Sequence, residues 1–430
     1  MLEAFRNLFR VPELRKRLLF TLAIIAIYRI GAHVVVPGID VGALKSFVAS
    51  QQGGLFGFVD LFAGGALSEF AVFALGIMPY ITSTIIMQLL TVVFPKLEQL
   101  QKEGEAGQKK INQYVRYMTV ALAFVQAMAL VVTFKNYKVI TSYNFKTVGL
   151  IVITLVAGTT LIMWLAELIT EKGIGNGISL IISLGIISRY PTAVKQVVEL
   201  TQQGRLSGLS IILMLILIVV VVGATILLLE GERRVPVQYA RRVVGRKQYG
   251  GQNTYLPIKI NQGGVIPLIF AVSILMFPAT ILRFYKGAFA VKLTSLLDQG
   301  GLLYIILYAA LTIFFCYFYA AVSFKPEKVA DDLRKYGGFV AGIRPGRATT
   351  EYLEKILLFV TLPGALFLVT IALFPQLITS IFKIPYLVSS LFGGIGLLIV
   401  VAVLIETMRQ IEAHLLMRHY EGFLKKARIR

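Results

Sequence analysis

The chain has 430 residues, 57% of them hydrophobic and only 15% charged, against roughly 25% charged in an ordinary soluble domain. Mean hydropathy is +0.77, and 43 Lys and Arg against 22 Asp and Glu give a formal charge of +21. A chain both apolar and basic excludes a water-soluble globule, disorder and fibrous repeats, and points to a polytopic membrane protein.

In chain order, residues 1–17 carry Arg6, Arg10, Arg15, Lys16 and Arg17 and lack a small-residue cleavage site. They are expected to be a retained cytoplasmic arm, with Leu2, Phe5, Leu8 and Phe9 on one amphipathic face. Crossing the hydrocarbon takes about 20 apolar residues in a helix. Nine runs meet that length: 18–36, 70–94, 115–134, 148–169, 209–229, 265–282, 302–324, 356–374 and 386–405. A tenth, 177–188, is short and glycine-led, and charge decides it. With ten spans and a cytoplasmic N-terminus, 31 of the 43 Lys and Arg lie inside; without the tenth crossing only 18 do. The positive-inside rule therefore favours ten spans, both termini cytoplasmic, and a basic tail over 409–430.

Five spans (18–188) precede an external linker at 189–207 and five (208–408) follow it, so the second half enters with opposite polarity, as in an inverted repeat. Gly76-Ile77-Met78-Pro79 opens span two, and Gly264-Val265-Ile266-Pro267 opens its counterpart, span seven. GIGNGISLII from Gly173 and GGIGLLIVV from Gly393 open spans five and ten in the same way. These four interrupted spans are where a path between the halves is expected. Ahead of span two, FVDLFAGGALSE over 58–69 has an acid at each end and two central glycines. That pattern suits a half-helix folded back into a cavity.

No phosphate-binding glycine loop, His-Glu-x-x-His or Gly-x-Ser-x-Gly string occurs, so no enzyme, metal or cofactor chemistry is expected. The one cysteine, Cys316, allows no intramolecular disulfide, and His33, His414 and His419 suggest no metal site. Arg29, Glu167, Glu230 and Glu406 fall near span ends, within snorkelling reach of an interface. No carboxylate sits at a span centre, as a proton- or sodium-coupled pump would need. Two long loops hold most of the charge. One, 231–261, carries Arg233, Arg234, Arg241, Arg242, Arg246, Lys247 and Lys259; the other, 325–355, carries Lys325, Lys328, Arg334, Lys335, Arg344 and Arg347. Their tyrosines, glycines and prolines suggest folded protrusions facing a large anionic partner. Ribosomal RNA and an acidic protein motor fit equally.

GIMPYITSTIIMQLLTVVFP from Gly76, EKGIGNGISLII from Glu171, NQGGVIPLIFAVSILMFPATI from Asn261 and GIRPG from Gly342 resemble the SecY/Sec61-alpha family, the central subunits of Sec protein-conducting channels. The resemblance runs along nearly the whole chain. It implies an all-α membrane fold of ten helices in two inverted five-helix halves around an hourglass pore. It also implies outward translocation of unfolded secretory proteins across the cytoplasmic membrane and lateral release of membrane helices. The family's pore ring maps onto Ile77, Ile81, Ile178, Ile182, Ile269 and Ile399. Its plug maps onto 58–69, including Phe58, Asp60, Phe62, Gly64, Gly65 and Glu69, and its lateral gate onto Thr82, Gln88 and Phe277. The partner-binding residues implied are Arg344, the loop tip Arg246 with Lys247, and Arg241 and Arg242. Lys247 stands where a second arginine is more usual, keeping charge but not bidentate geometry. Implied partners are SecE, SecG, the SecA ATPase, the ribosome, the precursor polypeptide and the lipid bilayer. The rival reading from the residues alone is a secondary transporter with a five-plus-five repeat.

Overall fold

Prolines, glycines and short polar caps set the helix ends in this chain, and apolar runs set the lengths between them. The computed structural model describes residues 11–50, 55–239, 242–244, 247–249, 254–282, 301–382, 384–390 and 393–427. The first half contains α1 (Pro12–Gly31), α2 (Val41–Ser50), α3 (Leu55–Phe62), α4 (Met78–Val93), α5 (Pro95–Lys102), α6 (Glu105–Asn136), α7 (Phe145–Lys172) and α8 (Gly177–Gln202). The second contains α9 (Gly208–Glu230), β1 (Glu232–Tyr239), β2 (Arg242–Val244), β3 (Lys247–Tyr249) and β4 (Thr254–Lys259). It continues through α10 (Ile266–Leu282), α11 (Leu302–Ser323), α12 (Pro326–Lys335), β5 (Gly338–Val340), α13 (Arg347–Phe382), α14 (Tyr386–Ser389) and α15 (Gly394–Ala427).

Among the described residues, seven helices are long and apolar enough to cross a membrane. An eighth joins them if α4 and α5, bent by 101° at their junction, count as one span. The chain is thus a multi-pass, predominantly α-helical membrane protein. Helices α1 and α10 lie at the places of the two remaining expected spans. The expected amphipathic face at Leu2, Phe5, Leu8 and Phe9 falls outside the described residues.

Three boundaries differ from the hydropathy reading. Span two does not begin at residue 70, because 63–77 is a chain of turns and α4 starts only at Met78. Pro79, in the first turn, needs no backbone N–H partner there and so marks the start. Helix α8 starts as expected, where the Asn176 side chain accepts from the Ile178 and Ser179 amides at 3.1 and 3.3 Å. It then runs through Pro191 to Gln202, so most of the expected linker is helical. At the far end, 386–405 is split into the one-turn α14 and the start of α15, and α15 continues through much of the expected tail.

Many polar groups on the apolar helices are satisfied locally. Thr82, Ser83 and Thr84 of α4 donate to the carbonyls of Met78, Pro79 and Tyr80, one turn back. Glu167 on α7 pairs with Arg116 on α6 at 2.8 Å, and Glu230 on α9 pairs with Arg409 on α15 at 2.5 Å. Each carboxylate thus joins its own helix to an arginine on another.

The two basic loops fold together. Strand β1 is the middle of a three-stranded sheet in the order β4-β1-β5, antiparallel on both sides, with Val235 opposite Leu256 and Val237 opposite Val340. Inward Val235, Ile258 and Val340 form a small core with Ala320, Leu353 and Leu357, while Arg233 and Arg234 stay exposed. Alternation along β1 produces that division. Strands β2 and β3 form a separate hairpin, Val244 opposite Lys247. This sheet was not expected from the sequence, although folded protrusions were.

The main core runs from Ile24 and Tyr28 in α1, through α3, α4 and α8, to α10 and α15. The non-helical stretch before α4 enters it because α7 offers a glycine: a Cβ on Gly158 would lie 2.0 Å from the Val72 carbonyl oxygen. Gly158→Leu is therefore expected to cost about 2 kcal/mol or more through overpacking, seen as a lowered unfolding temperature in detergent.

Candidate functional site

The segment 58–69 lies in the middle of this core. Helix α3 is apolar apart from Asp60, and Phe56, Leu61, Phe62 and Ala63 are all buried. Gly64 and Gly65 then reverse the chain at φ +66° and +90°, a conformation that suits glycine and strains other residues. The reversal presses backbone on backbone. A Cβ on Gly64 would lie 2.8 Å from the Gly185 Cα, and one on Gly185 would lie 2.8 Å from the Phe62 carbonyl oxygen. Helix α15 closes the other side, where a Cβ on Gly396 would meet Ile186 at 3.2 Å and Leu61 at 3.4 Å.

Polar groups tie the segment down along its length. Asp60 accepts from the Arg189 guanidinium at 2.5 Å, from the Ser68 hydroxyl at 2.5 Å and from the Ser68 amide at 2.8 Å. The Gly64 carbonyl accepts from Arg29 and from the Ser188 hydroxyl, each at 3.2 Å. Glu69 meets His33 Nδ1 at 2.8 Å, and His33 Nε2 lies 3.1 Å from Arg29. Arg29, placed by sequence at snorkelling distance from the interface, thus turns inward to the Gly64 carbonyl.

The isoleucines read as a ring all belong to, or border on, the main core. Ile77, Ile81, Ile182 and Ile399 are buried in the same core cluster as Leu61 and Phe62, and half-buried Ile178 and Ile269 pack against it. They come from five places in the chain: the turn before α4, then α4, α8, α10 and α15. Of the residues read as a lateral gate, Thr82 is half-buried and Gln88 exposed, both on α4. Phe277 belongs to α10, but its side chain lies outside the described residues, as does that of Phe58. Arg344 is exposed and makes no ion pair with a described residue, while its carbonyl accepts from the Thr349 hydroxyl at 2.9 Å. Arg241 and Arg246 lie outside the described residues. Arg242 and Lys247 lie in β2 and β3, their side chains likewise outside.

Sequence reading passed over Gly185, Ser188 and Arg189. The signal available was charge: Asp60 is an acid within an apolar run, and Arg189 is the first base after one. Among the described residues no group of three or more His, Cys, Asp or Glu could hold a metal.

A family model for SecY matches residues 71–408. The chain belongs to the SecY family. The protein translocase subunit SecY of Streptomyces coelicolor is 47% identical, the match covering 99% of this chain and all of that one. The corresponding subunit of Aquifex aeolicus is 43% identical with the same coverage. A solved protein-conducting channel superposes with a TM-score of 0.65 over 95% of this chain and 96% of that one, at 18% identity. A second, from work describing how the plug domain of SecY stabilises the closed channel and maintains a membrane seal, has a TM-score of 0.63 with the same coverage and identity. As a SecY-family protein the chain is a protein-conducting channel for translocation and membrane insertion. It is neither an enzyme nor a secondary transporter.

A bulky side chain at Gly185 is expected to lift 58–69 from α8. In a Cys316→Ala background, Gly185→Val should make a cysteine at Ala63 react roughly tenfold faster with a water-soluble maleimide, the shift that 1–2 kcal/mol of overpacking produces.

Proposed function

We propose that ten helices, α1, α4, α6, α7, α8, α9, α10, α11, α13 and α15, cross the cytoplasmic membrane as two inverted halves around an hourglass pore, with both termini in the cytoplasm. The waist of that pore is Ile77, Ile81, Ile178, Ile182, Ile269 and Ile399, and 58–69 is the plug that fills it at rest. The observation that carries this reading is the single buried cluster that includes isoleucines from α4, α8 and α15 together with Leu61 and Phe62 of α3. Branched aliphatic side chains suit such a waist. They offer no hydrogen bond to retain a passing polypeptide, and a narrow apolar ring dewets and so resists ion flow.

The seam between α4 and α10 is the lateral gate, with Thr82, Gln88 and Phe277 along it. A segment of apolar residues gains about 0.3–0.6 kcal/mol per Leu, Ile, Phe or Val by leaving sideways into lipid, whereas one central Arg or Lys costs about 2.5–3.5. Sorting between secretion and insertion then requires only that the seam part. The sheet-braced basic loops face the cytoplasm and receive the partners that supply force, the SecA ATPase or the translating ribosome. Arg344, Arg241, Arg242, Arg246 and Lys247 are the contact residues. SecE and SecG complete the complex. Solved relatives of the fold include a Sec61 channel in a canine ribosome–channel complex, at 17% identity, which supports a ribosome as one such partner.

Ile81→Ser or Ile269→Gly should raise resting ion conductance in planar bilayers roughly tenfold by wetting the waist. Unchanged conductance in both would remove these residues from the seal. Arg344→Glu should lower motor-driven export at least about tenfold, the usual consequence of reversing a contact charge, with insertion and abundance unchanged. Export by that variant at the parental rate would refute its role.

A further inference from the structure

Asp60 is the one buried charged residue among those described, at 1% exposure. A lone carboxylate in such surroundings is strongly unfavourable, so its position depends on its partners. Ser68 is a neighbour within the same segment, so its hydrogen bonds travel with the segment. Arg189 is different. It sits on α8 and reaches Asp60 at 2.5 Å, with its own side chain 22% exposed. The other charged tie to the segment, His33 with Glu69, is about half exposed on both sides, and exposed pairs contribute little. The Arg29 and Ser188 bonds go to a neutral carbonyl.

Beside the pair lies a cavity of about 190 Å³, lined by Asp60, Ser68, Arg189, Thr192, Gln196 and Ser390 among others. Arg189 Nε and Gln196 Oε1 have no hydrogen-bond partner among the described residues. Apolar groups, Val48, Phe56, Leu61 and Leu387 among them, make up most of its wall, but it has room for several water molecules against the polar groups around the pair. Its consequence is a one-sided cost. When Asp60 departs, the Arg189 guanidinium can be solvated in place, so the pair holds the segment without making its release prohibitive.

We propose that Arg189 is the positioning residue of the closed channel: its ion pair with Asp60 is a releasable latch that fastens the plug to the outer part of α8. This inference rests on the reading of 58–69 as the plug. The test is a double-mutant cycle on the full channel complex in planar bilayers, with resting conductance as the readout and export of a precursor bearing a defective signal sequence as a second. Arg189→Gln and Asp60→Asn should each raise resting conductance about tenfold and admit the defective precursor, and the double variant should be no leakier than either single one. Arg189→Lys, which keeps the charge, should stay near the parental conductance. Singles that leave conductance unchanged, while deletion of 58–69 raises it, would overturn the latch and leave the plug reading standing. Equally, a double variant whose leak is the product of the two singles would show that the residues act independently. If the deletion itself raises no leak, the plug reading fails and the latch with it. Should a single variant fail to assemble, cysteines at Asp60 and Arg189 joined by a short bis-maleimide provide the remaining measure. Bridged channels should stop exporting, and undiminished export through them would overturn the proposal.

Discussion

Backbone that is not helical has no place in an apolar interior unless its N–H and C=O groups find partners, and most amides of the stretch 63–77 have one. Val36 donates to the Phe70 carbonyl at 3.0 Å and Val72 to the Val34 carbonyl at 2.8 Å, a short bridge to the end of α1. Ala71 donates to Ala66, Gly65 to Asp60 and Gly76 to Phe73. Because these turns are satisfied internally, the chain can leave α3, reverse and start α4 only at Met78. Everything at the centre follows from that late start. It places Ile77 beside the helical isoleucines and leaves 58–69 as a separate body rather than the first turns of a crossing.

That body is held by two unlike kinds of contact. Glycine against glycine brings its backbone onto α8, a fit with no adjustable side chain between the surfaces. Side-chain hydrogen bonds from Arg29, Ser188 and Arg189 then add directional ties at Asp60 and Gly64. Packing of the first kind is lost abruptly with separation, since dispersion falls off within an ångström or so. A segment with this combination is seated or unseated, with little in between.

Most of the helices were legible because an apolar run long enough to cross leaves few other readings. The misplaced boundaries have specific causes. Residues 70–77 are as apolar as the helix that follows, so hydropathy merges them with α4, and only Gly76 and Pro79 hint at the break. Past Ser188 the chain turns polar without ceasing to be helical, which is why α8 outruns its apolar stretch. The isoleucines of the central cluster carry no mark that separates them from ordinary core, and resemblance to a family, not composition, singled them out. The three-stranded sheet was out of reach for another reason: β1 and β5 pair across about a hundred residues of chain, and no local pattern announces such a partnership. Arg189 was hidden in the same way, since its partner lies 129 positions earlier.

The sheet has a mechanical meaning as well. Strand β1 follows directly on α9, β4 leads into α10, and β5 lies between α12 and α13, so three rods are riveted to one rigid plate. A displacement of either arm is shared with the other through the strand pairing and with α10, which touches α4. If the seam between α4 and α10 is the gate proposed above, effort spent at the periphery is geared to it.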